Sequence, residues 1–235
     1  MKAWIGTSGY QYDEWKGSFY PEKLSKPKML GFYASVFNST ESNYTFRSVP
    51  SAKTINRWAE ETPEEFRFSL KAPQRVTHFA KLKECGGAMR DFYKAVKGLG
   101  SKQGPVLFQL PATFKADAAL LRDFLKSLPK GLRAAFEFRH ESWLTDEIYT
   151  ELADGNAALC WAEAEEFSVP RVATADFGYL RPRRGDYTAA TLADLADALS
   201  GQDKKWGEAF VYFKHEETGT GPDFARAFTK ALNGS

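Results

Sequence analysis

The segment 134–143, Ala-Ala-Phe-Glu-Phe-Arg-His-Glu-Ser-Trp, concentrates side chains able to do chemistry. Read as a strand, it alternates so that Ala135, Glu137 and Arg139 share one face while Phe136 and Phe138 point into packing on the other. Same-face neighbours lie roughly 6.5 Å apart, so Glu137 and Arg139 can share a site or an ion pair. A paired arginine lowers a carboxylate's pKa, which makes Glu137 a poor proton donor near neutrality and leaves it the roles of base, metal ligand or substrate clamp. The competing explanation is an ion pair that only braces the structure.

Comparable polar residues end other apolar runs. Glu41 and Asn43 share the polar face of 37–43, Lys71 closes 66–72, Gln109 lies in 106–111 and Arg181 ends 177–181. Glu41 and Glu137 together suggest opposed carboxylates of the kind glycosidases use, although their separation is not written in the sequence. Glu41, Glu137, His140 and Glu163 include the donor types a divalent cation takes. With three histidines in the chain and no close ligand motif, neither a metal nor a cofactor is specified.

A second, basic group follows further on. Arg183, Arg184, Lys214 and His215 precede Gly219, Thr220 and Gly221, and Pro222 suits the first turn of a terminal helix. Glycine-loop amides at a helix N-terminus can hold an anion, and a plain Gly-Pro turn explains the same letters. His78 and Trp143 are candidate substrate contacts, each with an equally simple structural role. The aromatic loop 10–20 can stack on a ring or cover the site. Cys160 lies in an apolar run, where an inert buried thiol is expected.

The elements that must position these residues follow from periodicity. Apolar runs at 3–9, 37–43, 66–72, 106–111, 134–139, 157–161, 177–181 and 209–213 read as strands, and stretches of 3.6-residue periodicity lie between most of them. Ser51 and Asp117 are N-cap candidates. The exception is 163–175, where Pro170 and scattered polar residues predict an irregular crossover between the sixth and seventh strands. Eight such units fit a parallel TIM-type (β/α)8 barrel of α/β class better than an open sheet. No linker or composition shift divides residues 1–235, so a single domain is expected.

The 235 residues are 43% hydrophobic with a net charge of +2, a weak hint of an anionic partner. Two cysteines without motif spacing, no leader-like start and no apolar run long enough for a membrane span point to a reduced cytoplasmic protein without membrane contact. Oligomeric state is not encoded in any recognisable way.

The chain resembles the YecE-like family, the domain of unknown function numbered seventy-two. The resemblance runs end to end and rests on Gly6-Thr7-Ser8-Gly9-Tyr10, Trp15-Lys16-Gly17-Ser18-Phe19-Tyr20-Pro21, Glu41-Ser42-Asn43-Tyr44-Thr45-Phe46 and Phe68-Ser69-Leu70-Lys71-Ala72-Pro73 with Thr77-His78. It continues through 104–111, Glu137-Phe138-Arg139-His140 with Ser142-Trp143, and Tyr212-Phe213. It implies a TIM-type barrel and a kinship in name to sugar isomerases, with no established activity. Arg181-Pro182-Arg183-Arg184-Gly185 stands where an Arg, an apolar residue and His-Gly are usual in that family, and Lys214-His215-Glu216 where Asn-Asp is usual.

Strand C-termini build the active sites of TIM barrels. The expectation is therefore an enzyme acting on a small polar, anionic, sugar-like or phosphorylated substrate by acid–base chemistry. Glu137 and Glu41 would be the working carboxylates, Arg139, Lys71 and Arg181 the clamp, and Gln109 an orienting group. The alternative is a non-catalytic protein that binds nucleic acid or another polyanion through stacking beside Arg183 and Arg184.

Overall fold

The computed structural model describes residues 1–163, 169–202, 204–214 and 219–234. Strands β1 (Lys2–Thr7), β2 (Ser39–Ser42), β3 (Arg67–Lys71), β4 (Gln103–Gln109), β5 (Ala134–Glu137), β6 (Ala158–Glu163), β7 (Phe177–Pro182) and β8 (Glu208–Phe213) form one parallel sheet in the order β1-β8-β7-β6-β5-β4-β3-β2. Around them lie α1 (Met29–Ala34), α2 (Tyr44–Arg47), α3 (Ala52–Glu60), α4 (Gly86–Val96), α5 (Ala118–Ser127), α6 (Asp146–Asp154), α7 (Ala189–Ser200) and α8 (Thr220–Gly234). Ser51 and Asp117 cap α3 and α5 as expected, accepting from the backbone N–H groups of Thr54 and Leu120.

The sheet is nearly closed, and its seam lies between β1 and β2. Backbone pairing there is confined to the C-terminal end, where Ser8 bridges Glu41 and Gly9 N donates to Glu41 O at 2.8 Å. Side chains stitch the rest. Ile5 N donates to Asn38 Oδ1 at 2.7 Å, Asn38 Nδ2 donates to Ala3 O at 3.0 Å, and Thr7 N donates to the Tyr33 hydroxyl at 2.7 Å. Gly6 makes the close approach feasible, because a Cβ there would collide with the Ser39 carbonyl and meet the Tyr33 hydroxyl at 2.5 Å.

Two expectations from periodicity are corrected. Gly104 and Pro105, ahead of the expected run 106–111, lie inside β4. The register between β3 and β4 slips between Phe68 and Leu70 at that level, which is where a strand tolerates a residue without an N–H. The fifth strand ends at Glu137, so Arg139 is not held by strand alternation.

Of the expected irregular crossover, residues 164–168 lie outside the described residues, and 169–176 form no helix. The latter lie across the barrel wall, where Trp161 Nε1 donates to Val172 O at 3.0 Å and Thr174 Oγ1 donates to Ala157 O at 2.7 Å.

Inside the barrel the inward positions stack in layers. At the N-terminal end Trp4 Nε1 donates to Glu208 Oε1 at 2.9 Å, Arg133 pairs with Glu208, and the Arg67 guanidinium lies 4.4 Å from the Trp4 ring centre. Above it, the Tyr212 hydroxyl sits 2.6 Å from Ser39 Oγ and donates to Ser69 Oγ at 2.8 Å. The next layer, at the strand C-termini, is ionic.

Candidate functional site at the barrel mouth

That ionic layer is organised by Arg181 on β7, which is 1% exposed. Its Nη2 donates to Glu41 Oε1 at 2.8 Å and to Ser8 Oγ at 3.2 Å, while its Nη1 donates to Glu137 Oε2. One guanidinium therefore clamps the carboxylates of β2 and β5. Each carboxylate is then saturated from other strands. Glu41 also accepts from Ser8 Oγ at 2.6 Å and from the Tyr179 hydroxyl at 2.7 Å. Glu137 also accepts from Gln109 Nε2 at 2.8 Å and Arg139 Nε at 3.0 Å.

Burial alone would push both carboxylates up, but the guanidinium charges and hydrogen bonds outweigh it. Arg181, Ser8 and Tyr179 hold Glu41 below its usual range, and Arg181 with Arg139 and Arg183 brings Glu137 down to about 2. Neither carboxyl carries a proton at neutral pH, so neither can donate one. Arg181 bridges the two carboxylates, so the pair does not present the separate acid and base or nucleophile that glycoside hydrolysis uses. The glycosidase arrangement raised from the sequence has no counterpart in this geometry.

The cations outnumber the anions they face. Besides Arg181 and Arg139, the half-buried Lys71 and Arg183 act electrostatically on the same cluster. Neither makes an ion pair or a side-chain hydrogen bond among the described residues. Lys71 ends β3 with its ammonium 4.2 Å from the Phe46 ring centre. Burial lowers the Lys71 pKa first, the nearby Arg181 lowers it further, and the two glutamates only partly compensate, so it falls to about 8. Arg183 is likewise lowered by burial and by Arg181. The described cluster thus sets Arg139, Arg181, Arg183 and Lys71 against Glu41 and Glu137.

The remaining expected residues fall into place unevenly. Asn43 lies past the strand at the N-cap position of α2 without a side-chain cap bond, and its Nδ2 donates to Ser8 Oγ at 3.1 Å, joining the cluster's edge. His78 bonds Thr77 through Nδ1 at 2.8 Å and lies edge-on to Phe46; burial and the charges of Lys71 and Arg139 lower its pKa. His140 accepts from Ser142 N through Nδ1 at 3.1 Å, capping a short turn. Trp143 is a packing residue: fully buried, it stacks on Phe138 and donates to Phe114 O at 2.6 Å.

Glu163 accepts from the Tyr187 hydroxyl at 2.8 Å and pairs with Arg171 at 3.3 Å. Among the described residues no group of three or more His, Cys, Asp or Glu is placed to hold a metal ion.

The basic group beyond β7 divides. Arg183 acts electrostatically on Glu137 and Glu41, whereas Arg184 pairs with Asp186 at 2.9 Å. Lys214 N donates to Pro182 O at 3.1 Å, joining the ends of β7 and β8. His215 lies outside the described residues. Gly219 has φ of +78° and packs against Ser18, whose Oγ a Cβ would meet at 2.9 Å, so a turn already accounts for it. Thr220 and Gly221 open α8. Two members of the cluster were missed from the sequence, Ser8 and Tyr179. The signal for Tyr179 was available, since it lies two residues before Arg181 on the same strand face.

A nearly closed barrel of eight parallel strands, with its polar cluster at their C-termini, defines a TIM-type (β/α)8 protein. The chain belongs to the family described as "Protein of unknown function DUF72", whose model matches residues 4–235. It is 36% identical over 109 residues to UPF0759 protein YecE of Escherichia coli K12, a match spanning 46% of this chain and 40% of that protein. It is 25% identical to UPF0759 protein YunF of Bacillus subtilis, over 98% of this chain and 94% of that one. A DUF72 family protein from Thermotoga maritima superposes with a TM-score of 0.88 at 26% identity, covering 99% of this chain and all of the other. No helix among the described residues is long and apolar enough to cross a membrane.

Proposed function

We propose that the barrel mouth binds a small anionic, sugar-like or phosphorylated ligand and performs acid–base chemistry on it. The carrying observation is the surplus of positive charge. The carboxylates are committed to Arg181 and Arg139, while Lys71 and Arg183 stand half-buried without anionic partners among the described residues. Cations only partly compensated in a poorly solvated place are costly, and an arriving anion lowers that cost. Arg183 and Arg139 supply forked donors for a phosphate or carboxylate, with Lys71 adding a point charge.

The ionised glutamates serve this arrangement as anchors of the guanidinium array. Glu137, at about 2, is too weak a base for efficient proton abstraction near neutrality. Lys71, at about 8, is the group in the cluster suited to exchange protons at physiological pH. A half-buried charge cluster ringed by strand ends suits a small ligand better than an extended polyanion, which would draw on surface residues such as Arg184.

Thermal unfolding in the presence of inorganic phosphate, a hexose phosphate and the parent neutral hexose tests the reading. The anions should raise Tm by several degrees, and Arg183→Met should remove most of that shift. Equal protection by the neutral sugar, or full anion protection in Arg183→Met, would overturn it.

A further inference from the structure

The cluster contains hydroxyls, a thiol and an amine, and their environments leave one nucleophile. Ser8 Oγ and the Tyr179 hydroxyl both donate to Glu41, and burial together with that carboxylate pushes Tyr179 well up. Cys160 is fully buried in β6, and burial with the charge of Glu137 raises its thiol well above the usual range. Lys71 differs from all three. It is partly open at the end of β3, has no carboxylate partner among the described residues, and lies against the face of Phe46. The groups bearing on it are Arg181 from β7, Glu41 from β2, Glu137 from β5 and Arg139 from the loop after β5, with His78 close by.

We propose that Lys71 is a covalent catalytic residue, whose Nζ condenses with the carbonyl carbon of a small phosphorylated aldehyde or ketone held by Arg183 and Arg139. This rests on the anion-binding reading above and names the substrate class within it. In the step, the neutral amine's lone pair forms the N–C bond as the carbonyl π pair moves to oxygen. A proton passes from nitrogen to that oxygen, giving a carbinolamine. The hydroxyl takes one proton from solvent and leaves as water, and the positive charge that proton brings stays on the lysine iminium. No electrons enter or leave the pair of reactants. The iminium withdraws electrons from the adjacent carbon, which is what proton abstraction or carbon–carbon cleavage beside a carbonyl requires.

Two features favour this role over a simple ammonium contact. Cationic neighbours and partial burial activate an amine for imine formation, and Lys71 remains half-neutral near pH 8. A lysine meant only as a charge would gain from a carboxylate partner, yet both glutamates of the layer are drawn to guanidinium groups instead.

The experiment is reductive trapping on the intact protein. Dihydroxyacetone phosphate is added with sodium borohydride, and the secondary amine formed is located by peptide mass mapping; neutral dihydroxyacetone is the control. Labelling should centre on Lys71, at least about tenfold above any other lysine. It should rise about tenfold between pH 7 and pH 9, and inorganic phosphate should compete with it. Lys71→Arg should lose the adduct while phosphate still raises its Tm.

Labelling spread over surface lysines, an unchanged adduct in Lys71→Arg, or equal labelling by the neutral ketone would each overturn the proposal. No adduct at Lys71 in a wild-type protein that phosphate still stabilises would discard the imine and keep the anion site. Absence of phosphate stabilisation would discard both. Site mapping on the wild-type chain decides even if the variant fails to fold.

Discussion

Arg181 is the residue on which the others depend, because it pairs with two carboxylates that are 0% and 2% exposed. Removing one partner from a buried ion pair typically costs ~3–5 kcal/mol, mostly by stranding the other charge. Arg181→Met is therefore expected to destabilise the fold by at least that amount in urea titration, with part of the loss recovered when Glu41→Gln and Glu137→Gln are added.

The same carboxylates govern acid stability. Their folded pKa values lie below the usual 4.5, so their ionisation favours the fold above that pH. The contribution fades as pH falls from 4.5 toward about 2, where Glu137 takes its proton. Tm should drop steeply across this window in the wild type and less steeply in Glu137→Gln.

At this scale much was legible. Glu41, Lys71, Gln109, Glu137 and Arg181 were found from strand alternation and strand ends. Ser8 was missed because it sits in a small-residue turn whose side-chain direction depends on the closing seam, and Trp143 misled because an aromatic beside a charged segment reads the same whether it stacks on a ligand or on Phe138.

Among elements, the β1–β2 seam is the place where the barrel closes through side chains instead of a full backbone ladder. Tyr33 from α1 reaches into it, accepting from Thr7 N and donating to Ser39 O at 3.1 Å. Tyr33→Phe leaves those two backbone groups without that partner, an expected loss of ~1–3 kcal/mol. Gly6→Ala should cost more, since overpacking at an immovable backbone carbonyl adds strain. Combining the two should recover little, because the collision with the Ser39 carbonyl persists after the hydroxyl is gone. Recovery of most of the Gly6→Ala loss in the double variant, read as an interaction energy in urea unfolding, would show that Tyr33 rather than backbone approach is what Gly6 accommodates.

The eight-strand rhythm and the irregular crossover could be read from periodicity, because burial writes period 2 or 3.6 into sequence. The seam could not, nor the register slip beside Pro105, since both depend on which strands meet rather than on any one strand's pattern.

Across the whole molecule, charge does opposite work at the two ends of the barrel. At the N-terminal end Glu208 is satisfied by Trp4 and Arg133 with Arg67 nearby, and these cations and the indole hold it below its usual pKa against burial. At the mouth, Arg183 is a cation whose charge the folded protein disfavours through burial and through Arg181. Binding sites are often kept at the expense of stability, and this contrast makes the trade measurable.

Glu208→Gln should lower Tm and leave phosphate binding intact, since it lies at the far end of the strands. Arg183→Met should behave inversely, with anion binding lost and Tm unchanged or raised. Relief of ~1 kcal/mol corresponds to ~2–4 °C for a chain of this size. A clear fall in Tm for Arg183→Met would mean that its charge is already compensated within the fold. The mouth would then lack the unmet positive charge that an anionic ligand answers.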